Sequence, residues 1–301
     1  MLKKKAWEPW VYLVPALLFY TIFMAYPLFG SLAMSMYKWS GLGPMTFVGL
    51  ENFRRLFLQP PFNERFFNAL WNNIEFFLLT MVLQNAAALL FAVLLSQKIR
   101  FSNFFRTVFF APVTMSVLMV GFVWTLLLNP SWGVVNKLLT IMHLDFLAKP
   151  WLGDEAWALP AIAFVNAWQF IGLPIMMFLA GIQAIPEDIY EAARIDGCNE
   201  WSLFWRITLP QLVPVIGMVT ILTLVGNFSS FEVIYAMEGT LAGPNYSTDV
   251  LGTLFYRTAF SSLSGAPPDM GLGAAIASVM FTIIAMAVMG WFWLEARRRS
   301  A

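Results

Sequence analysis

Residues 186–210 read PEDIYEAARIDGCNEWSLFWRITLP, a polar, helix-compatible cassette set between two long apolar segments. Pro186 suits a helix start, and Glu187 and Asp188 put acid in the first turn, where the helix dipole favours it. Glu191, Ala192 and Ala193 continue the helix, with alanines that let another surface approach closely. Gly197 is the natural C-terminal stop, because glycine takes the left-handed conformation freely. A second short helix, expected over about residues 200–207, brings Trp201, Phe204 and Trp205 to one side, and Pro210 restarts the chain into the next apolar segment. A protein that only spans a bilayer has no need of such a helix-turn-helix, so the cassette is expected to touch something in the water.

Composition sets the class around it. Of 301 residues 59% are hydrophobic and 12% charged, with a mean hydropathy of +0.70. One soluble core cannot hide that, since globular domains carry about 25% charged residues. The net charge of +1 offers no basic field for nucleic acid. A single cysteine, Cys198, excludes an intramolecular disulfide and a cysteine-built metal site.

Apolar runs long enough to cross a hydrocarbon core, which takes roughly 20 helical residues, occur six times. They fall at about 11–36, 76–96, 108–128, 157–182, 212–235 and 272–294, and are expected to form one all-α transmembrane domain over residues 1–301. The first follows Lys3, Lys4 and Lys5, outruns a signal peptide's apolar stretch and carries Pro15 and Pro27, so it is expected to be retained. Lys and Arg are held on the cytoplasmic side. With the N-terminus inside, eleven of the 18 are cytoplasmic: Lys3, Lys4, Lys5, Lys98, Arg100, Arg106, Arg194, Arg206, Arg297, Arg298 and Arg299. Both termini and the loop at about 183–211 are then expected in the cytoplasm. Trp7, Trp10, Trp71, Trp132, Trp157, Trp291 and Trp293 fall near helix ends, where indoles anchor to lipid headgroups. The outer loops, 37–67, 129–156 and 236–271, are too long for simple connectors.

Polar groups inside spans cost free energy unless they face protein or water. Gln84 and Asn85 lie mid-span in the second helix, and interhelical hydrogen bonding is their expected role. In the fourth, Asn166, Trp168, Gln169 and Phe170 precede Gly172 and Pro174, which weaken a helix where those side chains lie. In the fifth come Asn227, Ser229, Ser230 and Glu232. Broken helices often line cavities, so a cavity for a neutral polar solute is expected between these two spans. Glu232 sits near the outer end of its span, as a hydrated group or an ion site. No Asp, Lys, Arg or His occupies the centre of any span to complete a proton relay, which speaks against ion coupling.

With these residues in place, the cassette resembles the EAA loop of bacterial ABC-importer permeases: Glu191-Ala192-Ala193-Arg194-Ile195-Asp196-Gly197, nine residues, then Ile207-Thr208-Leu209-Pro210. Further segments resemble the carbohydrate-uptake branch, which includes the maltose and glycerol-3-phosphate permeases. They are residues 47–53, 184–187, 231–235, 243–244, Thr248, 256–257, 259–260 and 271–275, so the resemblance covers nearly the whole chain. It departs at residues 238–244, where the family's Thr-x-Gly-Gly-Pro becomes Glu-Gly-Thr-Leu-Ala-Gly-Pro, and at Cys198, where the family usually has Ala.

The resemblance implies a type I ABC-importer permease fold of six transmembrane helices in a bacterial or archaeal cytoplasmic membrane. It implies a second, homologous permease subunit and two cytoplasmic ABC ATPase subunits, which bind the ATP and magnesium that this chain does not. It also implies an extracellular or periplasmic binding protein that delivers a sugar or oligosaccharide. Glu191, Ala192, Ala193, Arg194, Asp196 and Gly197 would couple to the ATPase, and Asn166, Trp168, Gln169, Phe170, Gly172, Asn227, Ser229 and Ser230 would contact the sugar. No Gly-x4-Gly-Lys-Ser/Thr phosphate loop occurs in the sequence, consistent with a transport subunit that is not itself an enzyme. Import of glycerol phosphate, a polyol or another small polar solute remains an alternative, and ion-coupled secondary transport a further one. A membrane enzyme would need a nucleophile-base or metal constellation, and the only histidine, His143, lies in an outer loop near Asp145.

Overall fold

The computed structural model describes residues 8–97, 100–260 and 267–300, and gives no side-chain description for 8, 9 and 298–300. The positive-charge assignments to Lys3, Lys4, Lys5, Lys98, Arg298 and Arg299, and the anchor Trp7, therefore lie outside what is described. Among the described residues the regular structure is helical apart from one two-residue ladder. Four helices are long and apolar enough to cross a membrane, and six spans result if each of two bent pairs counts as one. The contacts divide the single domain expected for 1–301 into two compact units: Met1–Phe66 with Phe255–Thr282, and Phe67–Leu254 with Ile283–Ala301.

In the first unit, the helix Glu8–Tyr20 runs through a π turn, Thr21–Ala25, into Tyr26–Met34. The wide turn ends two residues before Pro27 and contains Phe23, whose carbonyl the proline ring would crowd in a regular helix, so extra residues per turn relieve the clash. The outer segment expected as a loop at 37–67 is structured. Tyr37–Lys38 pairs antiparallel with Thr46–Phe47, in the register Tyr37 to Phe47 and Lys38 to Thr46, and a helix Glu51–Leu58 follows. Asn52 secures the turn by donating from Nδ2 to the carbonyls of Ser35 and Tyr37, both at 2.9 Å. Arg55 pairs with Asp269 at 2.8 Å, and the same carboxylate caps the final helix by accepting from the Leu272 N–H at 3.0 Å. Gly271 is required beside this cap, because any side chain there would run into the Tyr37 carbonyl.

The second unit holds two apolar clusters. One gathers Phe76, Val120, Leu159, Ile162, Val165 and Ile234; the other Ala88, Ala92, Ile175, Phe178, Leu179 and Leu212. Ala88 and Ala92 are one helical turn apart, and their small side chains let the helix Gly172–Gln183 pack closely on Ala87–Ser96.

Several boundaries differ from those read off hydropathy, each for a local reason. The second span begins at Phe62 rather than near 76, since its polar outer third has the helical periodicity without the hydropathy, and a π turn, Met81–Ala86, interrupts it. The third is two helices, Ser102–Thr114 and Val117–Leu127, meeting at 100° just after Pro112. The fourth breaks by 51° between Phe170 and Gly172, where Gly172 and Pro174 mark the weakness. Pro210 does not restart the chain: a continuous helix runs from Glu200 to Phe228 and takes the proline just after the π turn Phe204–Thr208. That helix ends at Phe228, and Glu232 opens a separate helix, Glu232–Glu238.

Candidate functional site

Backbone irregularity inside a membrane is tolerated only where it is buried in protein or lines a cavity. In the second unit four irregular points converge on one cavity of about 450 Å³. The π turn contributes Gln84. The bend of the third span contributes Val117, and the broken fourth span Asn166, Phe170, Leu173, Pro174 and Met177. Past the end of the helix Leu209–Phe228 come Ser229, Ser230, Phe231 and Glu232, and the helix itself adds Val219, Leu222, Thr223 and Asn227. The volume lies within the roughly 300–1,000 Å³ of small-molecule sites.

Side chains bond to backbone groups near these breaks and to one another across them. Gln169 donates from Nε2 to the Met115 carbonyl, at the bend of the third span, at 3.0 Å. Asn73 donates from Nδ2 to the Asn227 carbonyl at 3.0 Å, and its Oδ1 accepts from the Leu251 N–H at 2.7 Å. Asn85 donates to the Thr223 hydroxyl at 2.9 Å, and Gln84 donates to Asn85 Oδ1 at 3.4 Å.

The residues marked for substrate by sequence therefore separate. Asn166, Phe170, Asn227, Ser229 and Ser230 line the cavity; Trp168, Gln169 and Gly172 do not. Trp168 packs edge-on to Trp124, with ring centroids 5.5 Å apart. Gln169 is fully buried on its carbonyl partner. Gly172 provides close approach, since a Cβ there would lie 2.5 Å from the Phe109 carbonyl oxygen. Asn227 is 3% exposed and its side-chain nitrogen has no hydrogen-bond partner among the described residues, so it is free for a ligand's acceptor. Sequence reasoning missed Thr223 and gave Gln84 only a bridging role; the signal for Gln84 was a glutamine in mid-span.

The cassette folds as a separate lever. The helix Glu187–Ile195 ends in a Schellman turn: Gly197, at φ +83°, donates to the Arg194 carbonyl at 3.1 Å, and Cys198 donates to Ala193 at 3.0 Å. Asn199 then caps the next helix by accepting from the Ser202 N–H at 2.8 Å. Ala193 is buried, and the Tyr190 and Thr208 hydroxyls meet at 3.1 Å, which ties the lever to the base of the long helix. Asp188, Glu191, Ala192 and Ile195, spaced by three and four residues, form one exposed stripe, with Ile195 86% exposed. Arg194 reaches Glu200 at 3.2 Å across the turn, and Asp196 is exposed.

Multiple spans, a largely apolar cavity carrying a few polar side chains at helix breaks, and an exposed lever between two spans define a solute permease. The family model of the binding-protein-dependent transport system inner membrane component matches residues 84–299, and the chain belongs to that family. It is 36% identical over 285 residues to the probable ABC transporter permease protein YurN of Bacillus subtilis (strain 168), covering 93% of this chain and 94% of that one. It is 34% identical to the multiple sugar-binding transport system permease protein MsmF of Streptococcus mutans, covering 91% and 90% respectively. A solved bacterial alginate ABC transporter, in complex with an alginate-pentasaccharide-bound periplasmic protein, contains a chain that superposes with a TM-score of 0.80. That chain is 25% identical, with 97% of this chain and 94% of that one covered. The protein is thus a multi-pass inner-membrane permease subunit of an ABC importer, with the type I permease fold.

Proposed function

We propose that this subunit carries a sugar or oligosaccharide across the membrane by alternating access. The observation that carries the proposal is the cavity: hydroxyls pair with Gln84, Asn166, Thr223, Asn227, Ser229 and Ser230, while Phe170 and Phe231 offer flat faces to sugar C–H groups. Relatives named for sugar transport support this, among them the lactose permease protein LacF of Rhizobium radiobacter, 30% identical over 293 residues.

In this reading a second, homologous permease pairs with the chain, and two ATPase subunits bind ATP and magnesium. Both termini and the lever Glu187–Ile195 lie in the cytoplasm. Glu191, Ala192 and Ile195 dock into the ATPase, while Gly197 sets the turn that transmits its closure to the helix Glu200–Phe228. ATP binding opens the cavity toward the binding protein, and hydrolysis reverses the bias. The subunit transports and does not itself hydrolyse ATP.

The test is uptake by the complete transporter in proteoliposomes with its binding protein. Neutral oligosaccharide uptake is expected to require ATP and to weaken about tenfold in Asn227→Ala, as loss of one or two buried hydrogen bonds implies, with the ATPase subunits retained. Uptake by this chain alone without ATP, or preferential uptake of glycerol phosphate, would overturn the proposal.

A further inference from the structure

We infer that Glu232 makes the cavity selective by charge, so that it takes uncharged or amino-bearing saccharides and rejects uronates and sugar phosphates. The inference rests on the cavity being the sugar site and adds the class of sugar. Among the described residues that line the space Glu232 is the single ionisable one, with no Lys, Arg or His beside it. No ion pair to Glu232 occurs among the described residues; its local counterpart is the partial positive charge at the N-terminus of the helix Glu232–Glu238 that it opens, and its side chain is exposed to the space. The lining also includes the apolar side chains of Leu173, Pro174, Met177, Val219 and Leu222. Apolar walls of low polarisability focus the field of a single charge into the space between them.

The consequences for a ligand follow from that field. A sugar hydroxyl donating to a carboxylate makes a charge-assisted bond, stronger than a neutral one, and a protonated amino sugar gains attraction as well. A uronate or phosphate meets a like charge and finds no cation to compensate its lost hydration. A site built for acidic saccharides would instead present Arg or Lys. The backbone likeness to a chain from a transporter of the acidic polysaccharide alginate, at a TM-score of 0.76, therefore does not decide the charge of this chain's cargo. The side chains do. Ser229 and Ser230 stand three and two positions before Glu232 and line the same cavity, which makes them reporters of its potential.

The experiment uses the complete transporter in proteoliposomes, with Cys198→Ser removing the native thiol and Ser230→Cys introducing one in the cavity. Ser229→Cys serves as a second reporter should the first variant fail to assemble. Modification rates are measured with a cationic and an anionic methanethiosulfonate of similar size. The cation-to-anion rate ratio is expected to fall about tenfold or more when Glu232→Gln is added, to hold in Glu232→Asp, and to shrink with salt. A ratio unchanged within about twofold overturns the charge filter, since close charge pairs act more strongly than that. The same thiol is then protected with maltotriose, a glucosamine trisaccharide and trigalacturonate. Protection by the first two and not the third supports the selectivity, and equal protection by trigalacturonate overturns it while leaving the sugar site in place. If none of the three protects although the ratio falls, the sugar-site reading itself is overturned, and the selectivity with it.

Discussion

Asn85 donates to the hydroxyl of Thr223 at 2.9 Å, joining two spans at side chains 138 positions apart and placing Gln84, its neighbour in the π turn, on the cavity wall. Hydrogen bonds between membrane helices contribute about 0.6–2 kcal/mol. Asn85→Leu and Thr223→Val each remove the bond, and Thr223 normally also donates to the Val219 carbonyl at 2.9 Å. A double-mutant cycle read by unfolding of the detergent-solubilised complex is expected to show coupling of about 1 kcal/mol. Strict additivity of the two changes would mean that the contact does not hold the helices together.

Gly197 ends the lever at φ +83°, and nothing lies within 4 Å of the position a Cβ would take. A substitution there therefore costs backbone strain alone, about 1 kcal/mol for Ala. Asn tolerates the left-handed region and a β-branched residue does not. Retention of the ATPase subunits during purification is expected to fall in the order Gly197→Asn, Gly197→Ala, Gly197→Val. Equal losses across the three would show that volume, and not the turn, matters.

Gly197 was legible in the sequence because the helix stop is a local event: the residue that needs the unusual φ is the residue that shows it. Gly172 and Pro174 were legible as a weak point for the same reason, and the 51° break falls beside them. The role of Gln169 was not, since its partner is the Met115 carbonyl, 54 positions away. Hydropathy also hid the 100° bend of the third span, because apolar residues continue on both sides of it and only Pro112 marks the place. The early start of the second span at Phe62 was hidden in the opposite way, by polar residues that remain helical beyond the apolar stretch. The π turn at Met81–Ala86 has no local signature, and its polar side chains gain meaning only when Thr223 is brought opposite.

The stripe Asp188, Glu191, Ala192 and Ile195 is the outward face of the lever. Ile195 is 86% exposed, which leaves an apolar side chain in water unless a partner covers it. Glu191→Ala and Ile195→Ala are each expected to weaken ATPase binding by about 1–2 kcal/mol, the range of a central interface residue. The stability of the membrane part should change by no more than the roughly 0.5 kcal/mol of an ordinary surface substitution. Normal co-purification with normal transport-stimulated hydrolysis in both variants would remove this face from the coupling path.

Glu238 closes the helix that Glu232 opens, at the point where the sequence departs from the family's external turn. Burial pushes its carboxyl from 4.5 up to about 7, and Oε1 has no hydrogen-bond partner among the described residues. In the unfolded chain the proton leaves near the ordinary value; in the folded chain it stays on until about neutrality. Between those two pH values the folded state binds the extra proton, so stability falls as pH rises across the window and levels off above it. Glu238→Gln keeps the shape and abolishes the titration. Its thermal midpoint is expected to equal that of the native protein near about pH 4 and to exceed it by roughly 2–4 °C near about pH 8, the size of a 1 kcal/mol effect discounted for partial solvation. A variant that is less stable than the native protein at the higher pH would mean that the carboxylate is held by a favourable partner and that burial does not dominate its titration.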